Sequence, residues 1–223
     1  MHTALVDADI LNYRIGFATN DETEDTAITT MAGFLEDLLL IDLPSVQQWE
    51  LYLTGTNNFR TEIATTAPYK GNRKSEKPVH YHLLRNYLVS SWDARVIDGM
   101  EADDMLAIRA TEEGDESVIV TLDKDLDQVV GWHYNFVKNN QYYVTEQEAL
   151  LNFYTQFLVG DAVDNIKGAK GIGPKKALKL LEDKSEVEMW NTVVECLGEE
   201  HAMENGHLLY MLRTPTDTWT PPV

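Results

Sequence analysis

Short apolar runs alternate along this chain with longer stretches whose apolar residues recur every three or four positions. Residues 3–7, TALVD, form a short run closed by an acid and read as a buried strand. Residues 48–54 (QWELYLT), 94–97 (ARVI) and 117–121 (SVIVT) read the same way. Residues 9–18 are expected to be helical, and residues 26–40 place Ile28, Met31, Leu35, Leu38 and Leu39 at helical spacing. Residues 55–77, rich in Thr, Asn, Gly and Lys, read as loop. Pro78 suits the first turn of a helix, which Tyr81, Leu84, Tyr87 and Leu88 carry to position 91. Further helices are expected over 102–113, 124–130 and 146–158. WHYNFV and QYYVT, joined through Lys138-Asn139-Asn140, predict a hairpin. After a glycine-rich loop come helices over 174–182, 186–197 and 200–212, and the tail TPTDTWTPPV is too rich in proline for regular structure. Strands alternating with helices predict an α/β fold, a central and mostly parallel sheet flanked by helices, with a helical C-terminal region. No repeat or flexible linker divides the chain, so residues 1–158 and 159–223 are read as parts of one integral domain.

Composition narrows the class. Hydrophobic content is 43%, ordinary for a globular protein. No apolar run reaches the roughly 20 residues of a membrane span. The longest, residues 31–43, is broken by Glu36, Asp37 and Asp42. The N-terminus lacks the basic start and apolar middle of a secretory signal. The single cysteine, Cys196, allows no internal disulfide and argues against a cysteine-based zinc site. A cytoplasmic, monomeric protein without a membrane partner is expected.

The formal charge of −19 argues, taken alone, against nucleic acid as a partner. Its distribution changes that. Arg60, Lys70, Arg73, Lys74, Lys77 and Arg85 face only Glu62 and Glu76, a local balance of +4. Six lysines between Lys167 and Lys184 face only Glu182 and Asp183, again +4. These islands hold 12 of the 18 basic residues, leaving −19 − 8 = −27 on the rest.

Acids fall at the ends of the predicted strands. Asp7 ends the first; Glu101-Ala102-Asp103-Asp104 follows ARVI; Asp123-Lys124-Asp125 follows SVIVT. Sites in open parallel sheets form outside the carboxyl ends of the strands, so these acids are expected to converge. Asp7 alone would serve as a helix cap, and Asp103 and Asp104 would suit a helix N-terminus. Together with Asp161 and Asp164 they are better explained by bound cations, because converging carboxylates repel one another. All-oxygen donors point to Mg²⁺ or Mn²⁺ rather than Zn²⁺. Two ions about 4 Å apart would act on a phosphodiester. Gly171-Ile172-Gly173-Pro174-Lys175-Lys176-Ala177 has the form of a helix-hairpin-helix turn, whose backbone N–H groups can face a phosphate.

These motifs, in this order, resemble the 5′-nuclease or flap endonuclease superfamily, including the 5′-nuclease domain of bacterial DNA polymerase I. Pro68-Tyr69-Lys70-Gly71-Asn72-Arg73, Lys77-Pro78 and the small size are most similar to free-standing phage 5′→3′ exonucleases. The likeness covers residues 3–180. It implies a PIN-like nuclease core hydrolysing DNA near a 5′ end, flap or nick, with the RNA of an RNA–DNA hybrid as a further substrate. It implies Asp7, Glu101 and Asp103 at one metal ion and Asp123, Asp125, Asp161 and Asp164 at a second, with Asp104 a further acid beside them. Lys70 would polarise the scissile phosphate, Arg73 hold its neighbour and Tyr69 stack on a base. Arg60 and Lys74 would touch DNA. Residues 70–90 would form an arch. Gly171, Gly173, Lys175 and Lys176 would grip the duplex, with K⁺ at the turn. If the chain is phage-encoded, its compartment is the host cytoplasm.

One departure stands out. The family carries an aspartate after the second strand, where this chain reads Thr54-Gly55. That predicts weakened binding of the first ion. It also keeps two other readings open, a non-catalytic DNA-binding relative and a PIN-like ribonuclease. The latter class normally lacks the GIGPKK turn.

Overall fold

The structure is a computed structural model and describes residues 1–73 and 76–223. Six strands form one sheet: β1 (Thr3–Asp7), β2 (Gln48–Thr54), β3 (Arg95–Ile97), β4 (Ser117–Val120), β5 (Gly131–Asn135) and β6 (Asn140–Val144). Their order is β3-β2-β1-β4-β5-β6. The first five run parallel, and β6 returns antiparallel as the expected hairpin with β5. The chain moves one way from β1 to β2 and β3, then crosses to β4 on the other side. The carboxyl ends of β1 and β4 therefore flank a topological switch point, where α/β sheets hold their ligands.

Both faces of the sheet are covered, which is why its strands read as continuous apolar runs. Alternate residues Ala4, Val6, Leu51, Leu53, Val118 and Val120 face α1 (Ala8–Ala18), α2 (Glu24–Glu36) and α4 (Tyr81–Trp92), meeting Leu11, Met31, Leu35, Leu84 and Leu88. Leu5, Tyr52 and Ile119 point the other way, onto Leu106, Ala107 and Ala110 of α5 (Ala102–Glu113). A separate core lies among α6 (Glu146–Val159), α7 (Pro174–Leu181), α8 (Glu186–Leu197) and α9 (Glu199–Leu209). Phe153, Phe157, Trp190 and Trp219 fill it. Trp219 packs flat on Gly206, where a Cβ would come within 2.3 Å of its ring.

The helical region is tied to the sheet by side chains that bond backbone. Gln128 Nε2 donates to Leu209 O at 2.9 Å, and Met211 N donates to Gln128 Oε1 at 3.0 Å. A one-turn helix, α3 (Arg60–Ile63), lies within the expected loop and packs against α9.

Three elements differ from the sequence reading. The regular helix after Pro78 starts only at Tyr81, because Pro78 fits against Gly16 and Val79 N donates to Asn20 Oδ1 at 2.9 Å. The helix over 26–40 gives way after Glu36 to a wider turn, closed by Leu43 N donating to Leu38 O at 3.1 Å. Within the segment 70–90 expected to form an arch, residues 81–90 belong to α4, which lies against α1 and α2 with Leu84 and Leu88 fully buried.

Candidate active site

The acids meet where the parallel strands end. Asp7, the last residue of β1, caps α1 by accepting from Ile10 N at 3.1 Å, and its second oxygen accepts from Thr121 Oγ1 at 2.8 Å. Thr121 follows β4 and its hydroxyl also accepts from Asp123 N at 3.0 Å, so one side chain sets two acids. Asp123 Oδ1 accepts from Asp125 N at 2.9 Å. Gln156 of α6 donates to Asp125. Glu101 and Asp103 stand at the start of α5, after β3. Asp161 and Asp164 come from a small hairpin, β7 (Gly160–Asp161) with β8 (Ile166–Lys167), whose turn is closed by Val163 N donating to Asp161 Oδ1 at 2.7 Å.

A loop crosses over this row. Thr65 N and Thr66 N both donate to Glu204 of α9, at 2.6 and 2.7 Å. Lys70 N then donates to Asp164 O at 2.9 Å, and Lys70 takes a left-handed φ of 54°, which costs a non-glycine residue energy. Its ammonium pairs with Glu101 and lies 3.6 Å from Asp164 Oδ2. Arg73 Nη2 donates to Asp164 Oδ1 at 2.6 Å. The Tyr69 hydroxyl lies 2.8 Å from Glu101 Oε2 and 2.7 Å from Asp164 Oδ2, its one proton serving both.

Two cavities share this wall. The larger, about 740 Å³, is lined by Asp7, Asp9, Glu101, Asp103 and Asp123. The smaller, about 260 Å³, is lined by Glu101, Asp103, Asp123, Asp125, Asp161 and Asp164. Asp7 thus opens to one side only, and Asp125, Asp161 and Asp164 to the other. Lys70 and Arg73 line both.

Burial and mutual repulsion leave the acids reluctant to ionise. Burial first, then the charges of Asp9 and Asp123, push Asp7 up to about 7 against opposing hydrogen bonds. Burial, then Asp123, Asp161 and Asp164, push Asp125 up to about 7. Asp103 is raised well above the carboxylate range by burial and by Asp7, Asp123 and Glu101, with no hydrogen bond to offset them. Asp103, which lines both cavities among other carboxylates with only the charge of Lys70 to offset them, fits an all-oxygen divalent cation site. As the side chains stand, no three acids among the described residues close around one point. The Lys70 and Arg73 side chains hold Glu101 and Asp164 to themselves.

Several sequence assignments need correction. Arg60 is no DNA contact: it is 3% exposed and clamps Asp104 with bonds of 2.6 and 2.8 Å. Asp104 is fully buried and accepts further bonds from Glu101 N and Leu212 N, so it faces neither cavity. Tyr69 is 8% exposed and turned onto the acids, so its ring does not offer a stacking surface. Lys74 lies outside the described residues. The first basic island is therefore largely spent on internal ion pairs. Gly171, with φ 75°, and Gly173, the cap before Pro174, do form the turn into α7, and Lys175 and Lys176 are exposed there.

Sequence reasoning passed over Asp9, Thr121 and Gln156. Thr121 and Gln156 carry no signal in sequence, since their partners lie far away in the chain. Gly55 is now explained in packing terms. A Cβ there would stand 2.3 Å from Asp98 Oδ1 and 2.7 Å from Ile97 O, so a side chain would require both to shift.

Comparison with known proteins gives the family and the fold. The model for the 5′-3′ exonuclease, N-terminal resolvase-like domain, matches residues 2–155. DNA polymerase I of Bacillus caldotenax is 30% identical over 226 residues, covering 88% of this chain and 25% of that protein; the chain thus spans about a quarter of that relative's length. The 5′-3′ exonuclease of Buchnera aphidicola subsp. Schizaphis graminum is 26% identical over 204 residues, covering 82% of this chain and 70% of that one. Among solved structures, the bacteriophage T5 flap endonuclease, in a pseudo-enzyme–product complex with DNA and metal ions, superposes with a TM-score of 0.70. Identity is 20%, over 97% of this chain and 90% of that one.

Proposed function

The chain belongs to the 5′-3′ exonuclease family through its N-terminal resolvase-like domain, and from that premise we propose that it is a metal-dependent nuclease cutting DNA phosphodiesters near free 5′ ends. The observation that carries this reading is the row of acids at the strand ends, shared by two cavities and covered by Lys70 and Arg73. Asp7 opens to one cavity, Asp125, Asp161 and Asp164 to the other, and Glu101, Asp103 and Asp123 line both, which suits two neighbouring ions, Mg²⁺ or Mn²⁺ by the all-oxygen donor set. When bound, such ions supply positive charge at the phosphoryl oxygens and acidity to nearby water.

The protein's own groups do the positioning. Lys70 and Arg73 now neutralise Glu101 and Asp164. A phosphate between them would take over both cations and release the two carboxylates to metal. Tyr69 holds Glu101 and Asp164 at a fixed separation. Glycines at 171 and 173 let backbone N–H groups approach a duplex phosphate, and Lys175 and Lys176 add charge there. With α4 packed on the core, cutting close to the 5′ terminus is favoured over threading of long flaps.

The test is cleavage of 5′-labelled flap, nicked and RNA–DNA hybrid duplexes under titrated Mg²⁺ and Mn²⁺, with EDTA as control. Short 5′ products that vanish in EDTA are expected, and Lys70→Ala should lower kcat by about 10²–10³. DNA binding with no cleavage under either metal would refute the enzyme.

A further inference from the structure

We propose that Asp9 is an additional acid of the first cation site, accepting hydrogen bonds from the hydration shell of the ion that Asp7, Glu101 and Asp103 would hold. The proposal rests on the nuclease reading above. Asp9 lines the larger cavity together with those three acids. Its carboxylate is held from the sheet: Thr54 N, at the end of β2, donates to Asp9 Oδ2 at 2.7 Å. That bond fixes the plane of the group and leaves Oδ1 as the less committed oxygen. Among the described residues, Oδ1 is approached by Arg85 Nη1 at 3.5 Å, the long limit of a hydrogen bond. Arg85 is itself anchored elsewhere, by Nη2 donating to Thr54 O at 2.7 Å.

Among the described residues, Asp9 is the acid of this cavity that bonds to the end of β2. The row of strand ends carries an acid after β1, β3 and β4 but none directly after β2, where Thr54 and Gly55 stand. A side chain at Gly55 would require both the Ile97 carbonyl and Asp98 to shift, since a Cβ there stands 2.7 and 2.3 Å from them. Asp98 turns away, accepting from Thr56 N and Thr56 Oγ1 at 2.7 and 2.9 Å. A carboxylate placed only to favour the start of α1 would need neither the bond to β2 nor a position on the cavity wall. Outer groups of this kind orient and tune a cation without ligating it.

Mn²⁺ binding to the full chain without DNA, followed by loss of the free-ion EPR signal, tests the assignment. Asp9→Asn keeps an acceptor for Thr54 N and removes only charge. It should weaken the tighter Mn²⁺ by about tenfold, with the metal-free melting temperature unchanged or raised. Arg85→Met, which frees Asp9 Oδ1, should tighten Mn²⁺, and Asp9→Glu should recover part of the loss. If both Asp9→Asn and Arg85→Met bind Mn²⁺ as wild type does, Asp9 is a helix-start acid and the proposal is wrong while the nuclease reading stands. If wild type takes up no Mn²⁺, while an Asp7→Asn control behaves identically, both readings fall together.

Discussion

Arg60 and Asp104 show how little a charged letter says about its place. Both sit within basic or acidic clusters that suggest DNA and metal, yet both are buried, and their hydrogen bonds account for them almost completely. The guanidinium serves Asp104 through two nitrogens and Leu208 O and Tyr210 O through two further bonds of 2.8 and 2.7 Å. Asp104 in turn fixes the backbone N–H of Glu101 at 3.0 Å. The pair therefore joins α9 to the start of α5 and sets the acids from behind. Burial disfavours the charged guanidinium, but its hydrogen bonds to Asp104 and the charge of that carboxylate outweigh it and raise the pKa of Arg60. Breaking one side of such a pair strands the other charge. Asp104→Asn should cost about 3–5 kcal/mol in urea unfolding. Arg60→Lys, which cannot reproduce the fork, should also destabilise. If Arg60→Lys instead lowered DNA affinity without changing the unfolding midpoint, Arg60 would be a DNA contact after all.

At the scale of elements, the strands and their terminal acids were legible because period and spacing are local. The parallel sheet, the β5–β6 hairpin and the turn into α7 follow from runs of a few residues. The short hairpin β7–β8 was not legible, because two-residue strands have no period. Nor was the inward turn of Tyr69, which depends on Glu101 and Asp164, far away in sequence. Yet that hairpin decides where Asp161 and Asp164 stand, and two glycines decide the hairpin. A Cβ at Gly160 would lie 2.4 Å from Gly168 N, and one at Gly168 would lie 2.2 Å from Val159 C. Gly160 also has φ 72°, where a side chain is strained. All the colliding atoms are backbone, so the hairpin itself must shift to admit a methyl group. Gly168→Ala should therefore displace both acids and lower kcat by about 10². Duplex affinity, read by fluorescence anisotropy, should change far less, because Lys175 and Lys176 lie on α7. A variant with undiminished kcat would show that the hairpin does not position the acids.

For the molecule as a whole, the acid row is a cost to the fold that the proposed cations would offset. A chain of formal charge −19 gathers its least comfortable carboxylates at one sheet edge and answers them in part with Lys70 and Arg73. The sign of the resulting pH dependence follows from linkage. Asp7 and Asp125 have folded pKa values of about 7, raised by burial above the roughly 3.9 of an unfolded aspartate. Between those values the folded state binds more protons than the unfolded one, so stability falls as pH rises through this window. Below about 4 the penalty is absent; above about 7 it is complete. Buried His133 works in the opposite direction, since burial lowers its pKa and favours the neutral ring. A comparison with Asp7→Asn isolates the acids. In EDTA, the melting temperature of wild type should drop between pH 5 and pH 8 relative to that of Asp7→Asn. Saturating Mg²⁺ should remove most of the difference, because the ion binds the ionised form and so stabilises the native state by mass action. Parallel melting curves for the two proteins in EDTA would mean that the carboxylates are already relieved without metal, and the site would then have little reason to bind one.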